Sequence, residues 1–259
     1  MRYFATLLVC LIGLPVWADL YGADVVIIGE AHDNPAHHNT QADIVAQIKP
    51  SALVFEMLTE AQAARHVAGG DLQTLSDAFD WETSGWPDFE MYYPIFAAAP
   101  QARVFGAGVP RPAARRAMTD GVAAAFGIGA GAYGLTTALD PEMQAVREAL
   151  QMTAHCDALP ADMLPAMVDI QRLRDAQLAK MAVRAFELTG GPVVVITGNG
   201  HARTDWGVPV YLAQAPIALS VLSIGQGEDG VPPAGTFDLI KDAPGVTRAD
   251  PCAAFQTAD

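Results

Sequence analysis

A chain of 259 residues of which 51% are hydrophobic is long enough for one large α/β domain or two small ones, with a sizeable core. Its formal net charge of −14 disfavours nucleic acid and anionic membrane surfaces as partners. Any anionic ligand, a porphyrin or a phosphate, must then rely on local arginines and apolar area.

Residues 1–18 read as a secretory signal peptide: Arg2 supplies positive charge, residues 4–16 are apolar, and Val16-Trp17-Ala18 offers a cleavage site after Ala18. A membrane span needs ~20 apolar residues, and this run is shorter and holds Pro15, so no transmembrane anchor is expected after cleavage. Cys10 lies inside the apolar run and is followed by Leu11, which argues against a lipid-modified cysteine. The mature chain, 19–259, is expected to be periplasmic or secreted. It keeps Cys156 and Cys252, which an oxidising compartment lets pair as a disulfide; the competing reading has Cys156, beside His155, ligating a metal or haem.

Val- and Ile-rich runs bounded by Gly or Pro predict buried parallel strands at 24–28, 52–56, 102–106 and 192–197, with further strands at 208–212 and 218–224. Asp33-Asn34-Pro35 predicts the start of a helix reaching about Ile48. Residues 59–99 and 111–188 read as helical, and part of them is expected to form a lobe over the strand ends. The four glycines at 127–134 predict a mobile loop or a close helix contact. The fold class is therefore α/β, a mostly parallel sheet flanked by helices, with an inserted helical lobe over the strand carboxyl ends.

The phrase Gly-x-x-His occurs twice, as Gly29-Glu30-Ala31-His32 and Gly198-Asn199-Gly200-His201, each time where an apolar strand should stop. Loops beyond the carboxyl ends of parallel strands converge on one crevice, and neutral imidazole is a metal ligand or proton carrier there. Glu56 ends the second strand; buried without partners it is costly, so it should meet a cation, a metal or hydrogen-bond donors, unless it caps the helix beginning near Thr59. His37 and His38 stand on the first turn of the next helix, either as structural residues or as ligand contacts. Val168, Gln171, Asp175, Leu178 and Ala182 share a helix face. From it Asp175 either orients a histidine or pairs with Arg172 or Arg174. The stretch from Trp81 through Trp86 to Tyr92-Tyr93-Pro94 suits a helical core or a flat ligand pocket. No His-Glu-x-x-His, Gly-x-Ser-x-Gly, phosphate loop or dinucleotide fingerprint is present.

Ile28-Gly29-Glu30-x-His32, Phe55-Glu56-Met57, Trp86 with Tyr92-Tyr93-Pro94, Gln171 with Arg174-Asp175, and Gly198-x-x-His201 followed by Gly207-Val208-Pro209 stand in an order that resembles the ChaN-type haem-binding family, a branch of the superfamily holding the Tiki/TraB proteins and erythromycin esterases. The resemblance implies a single domain over 19–259 with a helical insertion at about 59–190, export, and a role in haem or iron uptake. It also implies a pocket lined by Glu30, His32, Glu56, Asp175 and His201. In a haem-binding protein, the haem lies against apolar and aromatic side chains with Tyr92, Tyr93 or a histidine (His32 or His201) on iron, and a second copy of the chain covering its other face as a homodimer. In a hydrolase of the Tiki or esterase type, His32 and His201 with Glu30 or Glu56 either hold a divalent metal such as Zn or Mn or activate water directly, on a small-molecule substrate.

Overall fold

The computed structural model describes residues 22–253, so the expected signal peptide lies outside the described residues. In chain order the elements are β1 (Val25–Ile28), α1 (Pro35–Ile48), β2 (Ala52–Phe55), α2 (Glu60–Ala63), α3 (Leu72–Phe79), α4 (Phe89–Ala98), β3 (Arg103–Gly106), α5 (Arg111–Asp120), α6 (Val122–Phe126), α7 (Pro141–Ala154), α8 (Leu164–Thr189), β4 (Val193–Ile196), α9 (Asn199–Ala202), α10 (Val208–Leu212), β5 (Val221–Glu228) and β6 (Leu239–Ala243). Short 3-10 turns stand at Trp81–Thr83, Ala130–Tyr133 and Ala161–Met163.

Among the described residues the strands form one six-stranded sheet in the order β3-β2-β4-β1-β5-β6, every pairing parallel. All four residues of β1, β2 and β4 are buried, as expected of strands covered on both faces. Alternation sends Val26, Ile28, Leu53, Phe55, Val194 and Ile196 to one face, against Ile44 and Val45 of α1, Phe79 of α3 and Ile95 and Phe96 of α4. Val25, Ile27, Val54, Val193 and Val195 go to the other, against Leu173, Ala176, Leu178 and Ala179 of α8 and Val208 and Leu212 of α10.

This order creates the crevice. Ile28 and Phe55 both pair with Ile196, so β1, β4 and β2 end side by side. The chain leaves β1 for α1 on one face, and leaves β4 for α9 and α10, of which α10 packs on the other. Loops departing to opposite faces from neighbouring strand ends leave a gap between them, where open parallel sheets bind ligands.

The span 59–190 serves two purposes. Both α4 and α8 are sheet-covering layers, whereas the segment after Thr83, the start of α5, and α7 stand around the crevice, together with one stripe of α8. The residues at 208–212 form a helix, not the expected strand. Val208, Tyr211 and Leu212 are the buried ones, a spacing of three and four, and Pro209 sits in the first turn, where its missing N–H costs nothing. The strand expected at 218–224 runs from Val221 to Glu228, and β6 follows it as an additional edge strand.

The glycine-rich 127–134 segment is a close contact: its 3-10 turn buries Tyr133, whose ring stands 5.5 Å from that of Phe126. Cys156 and Cys252 form a disulfide across 96 positions, so Cys156 is not a metal or haem ligand, and His155 instead bonds the Gln151 carbonyl. Among the described residues no helix is long and apolar enough to cross a membrane.

Candidate functional site

Glu30 leaves β1 and is 2% exposed. Its Oε1 accepts from His32 Nδ1 at 2.8 Å and from the Tyr92 hydroxyl at 2.9 Å, and its Oε2 from Gln41 Nε2 at 2.7 Å with His38 Nδ1 at 3.4 Å. Burial pushes its pKa up, but the hydrogen bonds from His32 and His38 prevail and hold it at about 2. Glu30 is a buried, fully chelated carboxylate.

The three histidines that follow differ by what their nitrogens face. His37 Nδ1 accepts from the Ala31 N–H at 2.9 Å, so its Nε2 carries the proton given to the Gly227 carbonyl at 3.1 Å. It is a neutral clasp for the loop, and burial lowers its pKa. His38 Nε2 donates to the His32 carbonyl at 2.9 Å, while its Nδ1 faces Gln41 Oε1 and Glu30 Oε2. Acceptors on both sides favour the imidazolium: burial lowers the His38 pKa, and Glu30 raises it above the ordinary value. His32 gives Nδ1–H to Glu30, and among the described residues its Nε2 has no hydrogen-bonding partner; burial lowers the His32 pKa, but Glu30 and Glu56 raise it above the ordinary value, and the ring meets Trp86 edge-on at 4.8 Å.

Glu56 directly follows β2 and is answered by the end of β4: its Oε2 accepts from the Thr197 hydroxyl at 2.6 Å and the Gly198 N–H at 2.9 Å. Thr59, not Glu56, caps α2, through a reciprocal pair with Gln62. Burial raises the Glu56 pKa, and the charges of His201 and His32 bring it below the ordinary value. His201 on α9 lies between two carboxylates, with Nδ1 2.6 Å from Asp175 Oδ1 and Nε2 3.5 Å from Glu56 Oε1. Burial opposes its charge, but Glu56 and Asp175 push its pKa up to about 9. Asp175 is itself raised, by burial, with His201 and Arg147 limiting the rise.

Glu30, His32, Glu56, Asp175 and His201 line one cavity of about 800 Å³, and His37, His38 and Gln41 lie behind it; the volume is within the roughly 300–1,000 Å³ of small-molecule and cofactor sites. Its walls include Met57, Trp86, Val109, Leu150, Val168, Leu178 and Trp206, and also Arg111, Arg147 and Arg174. Glu30, His32, Glu56, Asp175 and His201 meet there. Tyr92 and Tyr93 of α4 are not in the wall: Tyr92 is fully buried beneath Glu30, and Tyr93 packs toward Phe89 at 6.4 Å. Burial and the neighbouring carboxylates push the Tyr92 phenol far above its ordinary pKa, and its hydroxyl is given to Glu30.

A Zn or Mn centre on His32, His201, Glu30 and Glu56 does not match this arrangement. Among the described residues no group of three His, Cys, Asp or Glu is placed to hold a metal ion. Both nitrogens of His201 are directed at carboxylates, and the oxygens of Glu30 are already taken.

Sequence reasoning did not reach Gln41, Arg147 or Trp206. Gln41 carried a usable signal, a polar residue on the buried stripe His38, Gln41, Val45, Ile48.

A three-layer α/β protein whose ligand crevice opens at the strand ends, with acid–imidazole pairs inside it, is the class that fold and site define. The profile of the family described as "Haem-binding uptake, Tiki superfamily, ChaN" matches residues 16–212, and the chain belongs to that family. The structure is similar to one titled "Cofacial heme binding to ChaN of Campylobacter jejuni", with a TM-score of 0.62 and 17% identity over 83% of this chain and 86% of that one. That likeness shows the fold. A second match, the type III effector HopBA1, has a TM-score of 0.47 and 12% identity over 89% of this chain and 92% of that one. No curated protein sequence matches the chain.

Proposed function

We propose that this protein is an exported haem-binding protein acting in haem and iron uptake, and that it takes haem as cargo in the cavity above β1, β4 and β2, with His32 Nε2 on iron. One observation carries the reading: His32 and His201 line the cavity, and among the described residues His32 Nε2 is the one of their ring nitrogens with no carboxylate, carbonyl or N–H against it. Glu30 fixes its tautomer through Nδ1, the support that ligating imidazoles commonly have. The donor set and walls suit the cargo: an imidazole with one nitrogen unengaged, the rings of Trp86 and Trp206, apolar Met57 and Leu178, and arginines for acidic substituents.

Export is supported by the expected leader at 1–18 and by the Cys156–Cys252 disulfide, which suits an oxidising compartment. A homodimer, in which a second copy covers the other haem face, belongs to the same reading.

The test is a haemin titration of the mature chain. A red-shifted Soret band saturating at one equivalent is expected, and it should be lost in His32→Ala. A linear, unsaturated titration overturns the reading.

A second reading, metal-free hydrolysis of a small-molecule ester, is favoured by two imidazoles in one cavity, His32 oriented by Glu30 and His201 held as a proton-donating imidazolium by Glu56 and Asp175. Its signature is turnover of activated esters that survives chelators and disappears in His32→Ala and His201→Gln.

A further inference from the structure

The wall of the cavity built by α7 and α8 carries positive charge that nothing in the proposed iron contact uses. Arg147 of α7 is 8% exposed; its guanidinium donates to the Tyr211 hydroxyl, while among the described residues its buried Nε has no hydrogen-bonding partner. Among the described residues no carboxylate stands within ion-pair distance of it. Its guanidinium lies 5.2 Å from the centre of the Trp206 ring. Arg203, which stacks on the same ring at 3.4 Å, is chelated by Asp205 at 2.7 and 2.6 Å and so is already neutralised. Asp175, the acid whose field reaches Arg147, is committed to His201.

Arg174 of α8 is half-buried, borders the same cavity, and is also outside every ion pair among the described residues. The chain has 29 acidic residues against 15 Lys and Arg, so three arginines outside every ion pair among the described residues at one cavity, the exposed Arg111 and the more buried Arg147 and Arg174, are unexpected from composition. Arg147 is met by the Tyr211 hydroxyl and the Trp206 ring but by no acid of its own, and a buried guanidinium without a counter-charge is costly. A planar fork of donors matches a carboxylate in bidentate fashion.

We propose that Arg147 and Arg174 form a carboxylate-recognition subsite, and that the cavity selects an apolar, acid-bearing ligand whose body lies toward His32 and whose acid group is held by the arginines. The proposal rests on the haem reading insofar as the acid is then a haem propionate.

The mature protein and its Arg147→Gln and Arg174→Gln variants are titrated with haemin and with haemin dimethyl ester, whose propionates are uncharged, following the Soret band. The wild type should bind haemin at least tenfold more tightly than the ester. Each variant should lose most of that preference. Arg174→Gln, at a half-buried position, keeps the test valid if Arg147→Gln does not fold. Haemin and ester bound equally by the wild type, or a preference unmoved in the variants, overturns the subsite and leaves the haem reading standing.

If neither porphyrin binds, the haem reading fails, and octanoate decides the subsite. A rise in the unfolding temperature with octanoate but not octanol, absent in Arg174→Gln, upholds it. No difference between octanoate and octanol overturns it.

Discussion

His201 Nδ1 meets Asp175 Oδ1 at 2.6 Å while its other ring nitrogen looks toward Glu56, so a single buried cation joins α8, α9 and the end of β2. The imidazole is held charged up to about pH 9 despite burial, by Glu56 and Asp175. An unfolded histidine titrates near 6.5. The stability gained from this charge is therefore complete below pH 6.5 and is lost as pH rises through about 9. At about 1.4 kcal/mol per unit the loss is on the order of 3 kcal/mol. Urea unfolding of the wild type should weaken by that order between pH 6.5 and 9.5, whereas His201→Gln should be flatter over the window and less stable at its acid end. Parallel curves for the two proteins would show that His201 is not charged in the fold.

Tyr92 reaches Glu30 Oε1 from α4, across 62 positions of sequence. Removing its hydroxyl takes one donor from a buried carboxylate, which costs about 1–3 kcal/mol. Tyr92→Phe should lower stability by that amount, measured in denaturant, and weaken haemin binding a few-fold by loosening Glu30. The position of the Soret band should not change, because the iron contact is assigned to His32. A band position altered in Tyr92→Phe would return the iron to the tyrosine.

The runs at 25–28, 52–55 and 193–196 were legible as strands because burial on both faces removes every polar residue from them. The two Gly-x-x-His phrases marked their ends for the same reason, since polarity returns where cover stops. What local pattern does not encode is which strands are neighbours: nothing in β1 or β2 says that β4 lies between them. At 208–212 five mostly apolar residues suit either a strand or a helix, and Pro209 was the cue for the helix. The edge strand β6 escaped notice because Lys241 and Asp242 interrupt its apolar residues. Among the site residues, Tyr92 read as one aromatic in an aromatic stretch, and only the fold reveals that its hydroxyl serves Glu30. Arg147 gave no signal, because an arginine on a polar helix is ordinarily solvated.

The tail is fastened at two points. The disulfide ties Cys252 to Cys156 just beyond α7, and Arg248 clamps Asp33 at 2.6 and 2.7 Å and Glu228 at 2.6 and 2.8 Å. Closing a loop of 96 residues restricts the unfolded chain, and such a link contributes about 2–4 kcal/mol. The double variant Cys156→Ser/Cys252→Ser should lose that much in urea. Arg248→Ala should lose within about 1 kcal/mol, because its ion pairs are partly solvated. The reverse ranking would mean that the clamp, and not the covalent link, holds the tail.

Gly198 shows why the second Gly-x-x-His phrase begins as it does. Its backbone, at φ −65° and ψ 152°, is open to any residue. Space is the constraint: a Cβ at this position would stand 2.9 Å from His32 Nε2 and 3.1 Å from its Cε1. In Gly198→Ala the imidazole must give way, and moving it strains the 2.8 Å bond to Glu30 that fixes its tautomer. Because the displaced ring is partly exposed, the fold should lose no more than about 1 kcal/mol. Haemin affinity should fall at least tenfold, since the nitrogen assigned to iron is the atom displaced. A variant that loses stability but binds haemin as the wild type does would place the iron elsewhere in the cavity and leave His32 with a structural role.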